Sequence, residues 1–246
     1  MSKLPPIADK ERLYYRRQFI LAPRSIDRFP SWQTCKINEA LFLTVHPDLP
    51  LHRVELKGRT LTLMGFLLDP DHPEADDRAI LNELIKESQT GKQAIVSTHS
   101  LGGRWILIFD DGKESILFND ASGCRQAYYY VDNPGGIWCA SQPGLMASEL
   151  GLEIDPEARR FADSPEFKGR TEHWWPGDSS LYEGVKKLRP NYYLDLRTGQ
   201  RFRFWPKRRI SNISHKEVLD ECLHVLKGLV KSASKRFGLA LSITGG

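Results

Sequence analysis

The feature that most constrains this chain is a change of hydrophobic period near residue 206. Before it, apolar residues fall in short runs rich in Val, Ile, Leu and aromatic side chains, broken by Pro, Gly, Asp and Asn. After it they recur at three- and four-residue spacing. Runs of the first kind read as strands joined by turns, whereas the second spacing lays one apolar stripe along a helix. A domain boundary is therefore expected between a strand-rich unit over 1–205 and a second unit that begins at 206–246.

Within the first unit, residues 41–45 and 60–64 are candidate strands, stopped by His46-Pro47-Asp48 and by Gly65. Residues 76–88 read as a helix, because Ala79, Ile80, Leu84 and Ile85 take helical spacing behind an acidic, Pro-containing entry. Three hairpins follow: 104–109 with 115–118, 128–131 with 137–140, and 192–195 with 201–205. Residues 143–150 suit a short helix stopped at Gly151, whereas 155–180 are expected to be irregular, with Trp174 and Trp175 serving as packing residues. In the second unit Ser214 and Glu217 form a capping box, in which each side chain satisfies the other residue's orphan amide. The helix it starts runs to Phe237, with Leu219, Cys222, Leu223, Leu226 and Val230 expected as core. Residues 239–243 then read as a buried strand opening into Thr244-Gly245-Gly246.

Composition excludes several classes. No apolar run approaches the roughly 20 residues a membrane-spanning helix needs, and the N-terminus has no secretory-type apolar stretch, so a soluble cytoplasmic protein is expected. The four cysteines are dispersed, with no C-x-x-C pair and no His at ligand spacing; reduced structural thiols and no metal site are expected. The 35 basic residues are mixed with 31 acidic ones, and Lys207-Arg208-Arg209 is a short cluster of surface type, so neither a nucleic-acid nor a membrane partner is expected.

Taken in order, these pieces resemble the asparagine synthetase family, which couples an N-terminal class II glutaminase domain to a C-terminal ATP-pyrophosphatase domain. Residues 103–110 match the family strand G-x-F-A-L-x-x-x-D, and 120–129 match D-x-x-G-x-R-x-x-Y-Y through Asp120, Gly123, Arg125, Tyr128 and Tyr129. Residues 135–141 correspond to the strand ending in F-A-S-E. Residues 181–190 correspond to L-F-E-G-V-x-x-L-P-P, with Asn191 in place of the Gly that follows. The end, Ile243-Thr244-Gly245-Gly246, is similar to the opening of the pyrophosphate loop S-G-G-x-D-S. The resemblance covers about residues 55–246. It implies an α+β fold, a four-layer αββα Ntn-hydrolase-like sandwich of antiparallel sheets, then the first helix and strand of an α/β ATP-binding domain.

The resemblance also implies where chemistry should lie and where it is lost. Active members begin Cys-Gly-Ile, their thiol attacking the glutamine amide while the α-amine serves as base. This chain begins Met1-Ser2-Lys3, and neither Ser2 nor an internally exposed Cys35 has the matching context. The family's Asn-Gly-Glu, which binds the glutamine head with an upstream Arg and a downstream Asp, reads Met64-Gly65-Phe66 here. Asp76 is the candidate for that Asp, against the simpler reading of an acid at a helix entry. Ile243, Thr244, Gly245 and Gly246 would be a partial ATP loop; ATP and Mg²⁺ belong to the complete family protein, and the chain as it stands is expected to bind neither. Three functions stay open: the N-terminal part of an ATP-dependent amide ligase with a retired glutaminase domain, partnered by a C-terminal synthetase domain; a non-catalytic scaffold, possibly a homodimer; and a live glutaminase with an unrecognised nucleophile. Relatives lacking the Cys, such as β-lactam synthetases and lasso-peptide cyclases, take their amine from the substrate.

Overall fold

A computed structural model of the protein describes residues 13, 15–172, 174–207 and 214–240. Its centre is a pair of six-stranded antiparallel sheets. One has the order β10-β8-β9-β1-β3-β2, where β1 is Phe19–Ala22, β2 Gln33–Asn38, β3 Leu41–Val45, β8 Tyr128–Asp132, β9 Gly136–Ala140 and β10 Lys186–Lys187. The other has the order β12-β11-β7-β6-β5-β4, with β4 Leu51–Leu56, β5 Arg59–Leu68, β6 Gly102–Asp110, β7 Ser115–Asn119, β11 Tyr192–Asp195 and β12 Arg201–Arg203.

Strand alternation explains why these runs look continuously apolar. In β6, Ile106 and Ile108 face the first sheet, packing with Phe19, Leu21 and Leu43. Their neighbours Trp105, Leu107 and Phe109 face outward into a second core. Both faces must be covered, and helices cover them. Helices α1 (Asp77–Glu87) and α2 (Gly91–Ser97) bury Ile80, Leu81, Leu84, Ile85, Ala94 and Ile95 against the outer face of the second sheet. Helix α3 (Pro143–Leu150) places Leu145 and Met146 on the outer face of the first, against Ile20, Ala22 and Trp138. The architecture is thus the four-layer αββα sandwich expected from the sequence. Among the described residues no helix is long and apolar enough to cross a membrane.

Two expectations need correction. Residues 155–180 are not wholly irregular: α4 (Pro156–Asp163) starts where the Asp155 carboxylate accepts from the Glu157 and Ala158 amides, and α5 (Pro165–Lys168) where Ser164 accepts from Phe167. Trp175 packs with Phe161 and Phe167, as expected, but Trp174 is 62% exposed. The second correction concerns α6 (His215–Arg236). Its capping box forms as expected, yet its apolar stripe is not core: Leu219 is 57% and Leu226 59% exposed, and Cys222 is exposed. The helix docks instead through its small residues. A side chain at Gly228 would meet the Pro70 carbonyl oxygen at 2.3 Å, Ser232 is fully buried, and the Leu229 side chain lies over Gly102. Leu239 and Ala240 join neither sheet, and the remainder of the expected strand lies outside the described residues.

Candidate site: an arginine-lined cleft at the mouth of the sandwich

At one end of the sandwich the sheets part around a cleft of about 740 Å³. Arg16, Arg17 and Gln18 reach it from the entry to β1, Phe66 from β5, Arg104 from β6 and Arg125 from the turn before β8. Ser141 comes from the end of β9, Asp77 from the first residue of α1, and Arg236 and Phe237 from the end of α6.

The three residues in the place of Asn-Gly-Glu separate here. Met64 and Phe66 share a face of β5, but Met64 lies deeper in the sandwich, fully buried among Phe19, Leu21 and Ile106; it is core and not pocket. Phe66 reaches the cleft, where its ring meets that of Phe237 at 4.9 Å between centroids. Gly65 has φ +113°, and a Cβ there would meet the Arg104 carbonyl oxygen at 2.1 Å and Arg125 Nε at 3.0 Å. Its missing side chain leaves the space through which Arg125 passes.

The acid of the cleft is not Asp76. Asp76 is the exposed N-cap of α1, accepting from the Ala79 amide, which is the helix-entry reading. The next residue, Asp77, points inward: one carboxylate oxygen accepts from the Leu67 amide at 2.7 Å and the other pairs with the Arg236 guanidinium. His52 Nε2 stands 3.7 Å from that second oxygen.

Arg125 is only 8% exposed. Asp120 does not neutralise it by pairing, because its carboxylate instead accepts from the backbone amides of Trp105, Cys124 and Arg125, fixing the turn. Arg125 Nε donates to the Arg104 carbonyl and Nη1 to that of Arg17. Burial, then the charge of Arg104, lowers its pKa to about 10; Asp120 opposes this and Arg17 adds to it. Arg16 pairs with Asp48. Among the described residues no carboxylate forms an ion pair with Arg17, Arg104 or Arg125.

This arrangement can hold negative charge, and among the described residues no cysteine lines it. Ser141 is the one hydroxyl among the described lining residues, and its Oγ accepts from the Phe19 amide at 3.0 Å and donates to the Phe19 carbonyl. No base faces it. Cys35 sits within β2, paired in register with Leu43. Cys139 is buried in the core and its thiol is pushed well up by burial; Cys124 and Cys222 are exposed. Among the described residues no three His, Cys, Asp or Glu side chains cluster as metal ligands. Ile243, Thr244, Gly245 and Gly246 lie outside the described residues. Arg125 and Ser141 stand in the family-like segments as pattern positions and Arg104 at a variable one, while Arg16, Arg17, Asp77 and Arg236 carry no signal of a site.

No family model matches the sequence, and no curated protein matches it. Among solved structures the chain is similar to glutamine phosphoribosylpyrophosphate amidotransferase from B. subtilis complexed with ADP and GMP, with 13% identity and a TM-score of 0.45, over 83% of this chain and 46% of that one. It is also similar to a structure described as the allosteric regulatory enzyme of purine biosynthesis, with 14% identity and a TM-score of 0.42, over 77% of this chain and 43% of that one. The chain thus spans less than half the length of either structure.

Proposed function

We propose that this chain is the glutaminase-type domain, with the start of the synthetase domain, of an asparagine-synthetase-like ATP-dependent amide ligase, and that its cleft no longer hydrolyses glutamine. The observation that carries the reading is the closure of the cleft by α6: Phe237 covers Phe66, and Arg236 occupies the carboxylate of Asp77. Glutamine's ammonium and amide groups would meet an aromatic wall and an acid already paired. Leaving such groups unmatched costs roughly 1–3 kcal/mol each. The family-like segments support the ligase half of the reading. Residues 103–110 lie in β6 and residues 120–129 form the Asp120-held turn into β8. Asn191, where the family pattern has Gly, has φ +66°, a left-handed conformation that Asn tolerates better than most residues.

In this reading the boundary falls near residue 206, the family's C-terminal synthetase domain is the partner, and Ile243 to Gly246 would belong to its ATP loop. ATP with Mg²⁺ would there activate a carboxylate for attack by an amine from the substrate. A second reading, a non-catalytic module or homodimer, is favoured by the exposed stripe of Leu219, Leu223, Leu226 and Val230. Sedimentation separates the two, since a monomer with its stripe exposed counts against the homodimer.

Ammonia release from glutamine tests the cleft: none above blank is expected, and release abolished in Cys35→Ala or Ser2→Ala would overturn the reading. The reading frame beyond codon 246 tests the ligase. A continuation through an Asp-Ser pair into a further α/β domain supports it, and an immediate stop sinks it.

A further inference from the structure

We propose that the cleft is a binding site for a phosphate monoester with an apolar or aromatic body. The inference goes beyond ligase chemistry and rests on the reading of the cleft as non-hydrolytic. Its first ground is charge. Among the described residues, five guanidinium groups line one cavity with a single carboxylate, Asp77, which Arg236 already occupies. With Arg16 held by Asp48, three of these cations have no ion-pair partner among the described residues: Arg17, Arg104 and Arg125.

The second ground is independent of the count. The guanidinium of a residue that is only 8% exposed is costly to keep charged unless an anion faces it. Asp120, the nearest acid, spends its oxygens on three backbone amides. Arg125 uses Nε and Nη1 on carbonyls, and its Nη2 makes no hydrogen bond among the described residues. Arg125 lines the cleft, and its Nε lies where a side chain at Gly65 would stand, 3.0 Å from that Cβ.

The third ground selects the ligand. An arginine fork suits either a carboxylate or a phosphate, but three unpaired cations match a dianion better than a monoanion. At about 740 Å³ the cleft is also far larger than one phosphate needs. Its other wall is the Phe66–Phe237 pair, which can take up an apolar or planar group but can donate nothing to a second anion.

The experiment is calorimetric titration of the 246-residue chain with phenyl phosphate, inorganic phosphate and benzoate at constant ionic strength. Saturable binding is expected in the order phenyl phosphate, phosphate, benzoate. Arg17 and Arg104 are exposed, so R17Q/R104Q should fold as the wild type does, and it should weaken phenyl phosphate by about tenfold or more. R159Q/R160Q, which removes the same charge from the exposed face of α4, should leave binding unchanged. Phe66→Ala should weaken phenyl phosphate while sparing inorganic phosphate. No saturable phenyl phosphate binding, equal weakening in the two double variants, or benzoate binding as tightly as phenyl phosphate would each overturn the proposal. Ammonia release is read separately, so failure of the non-hydrolytic reading remains distinguishable from failure to bind.

Discussion

Breaking the Asp77–Arg236 pair should open the cleft without unfolding the sandwich. The two side chains are 9% and 18% exposed, which places the pair between a surface ion pair, worth up to about 1 kcal/mol, and a buried one, where removing a partner costs about 3–5 kcal/mol. Asp77 keeps its hydrogen bond from the Leu67 amide when Arg236 is removed, so it is not wholly stranded. We therefore expect Arg236→Ala to cost about 2 kcal/mol, and the Asp77→Asn, Arg236→Ala cycle to show a coupling of about 1.5 kcal/mol. The cost should fall on docking, because α6 meets the sandwich along its second half, from the His224–Asp71 contact through Gly228, Leu229 and Ser232 to Arg236. At 1.36 kcal/mol per decade, 2 kcal/mol raises the undocked fraction about thirtyfold. Once undocked, a 22-residue helix has only marginal stability of its own. Hydrogen exchange read by mass spectrometry should therefore show α6 amides exchanging about thirty times faster in Arg236→Ala, with β5 and β6 unchanged. Exchange in α6 within about threefold of wild type, or single-variant effects that simply add, would refute the closure argument; so would a rise shared equally by β5 and β6.

Other outcomes follow from the same geometry. Gly65→Ala combines left-handed strain with a backbone overlap inside the β5–β6 ladder, whereas Gly58 has φ +75° in open space. Thermal melts should show losses of roughly 3 kcal/mol or more and about 10 °C for Gly65→Ala, against about 1 kcal/mol and 3 °C for Gly58→Ala; equal losses would contradict the close approach to Arg104. The Ser214 hydroxyl and then its amide hold the Glu217 carboxyl below its ordinary range. A lowered folded pKa means that the stabilisation is present above the ordinary glutamate value and lost as pH falls through the lowered one. The first-turn NMR shifts of α6 should thus report fraying on acidification below that range, and Glu217→Gln should abolish the transition. Native thiol labelling with peptide mapping should modify Cys124 and Cys222 quickly, and Cys35 slowly, since burial raises its thiol against the opposing Arg53. Cys139 should react only on unfolding, and its labelling at the rate of Cys124 would show the inter-sheet core to be open.

What could be read from the sequence depended on whether a residue's partner was local. The start of α6 was legible because Ser214 and Glu217 satisfy each other, and both ends of α3 because Pro143 and Gly151 act on their own backbone. The start of α4 was not: Asp155-Pro156 opens a turn or a helix equally well, and only the amides of Glu157 and Ala158 decide. Met64 and Phe66 share a strand face, so alternation could not say that one ends in the core and the other in the cleft; that depends on where the first sheet stops. Asp76 and Asp77 differ by a single helical step, and capping fixes the first while turning the second toward Arg236. The arginines reach the cleft from separate segments with no common spacing, so the cluster exists only after folding. Helix α6 carries the sharpest conflict between pattern and packing. Periodicity finds its apolar stripe, but closeness to Pro70 selects the face with Gly228 and Ser232, because small residues let backbones approach where Leu219 or Leu226 would hold them apart. An amphipathic pattern therefore says which face of a helix needs cover, and it does not say which face meets the neighbour already present.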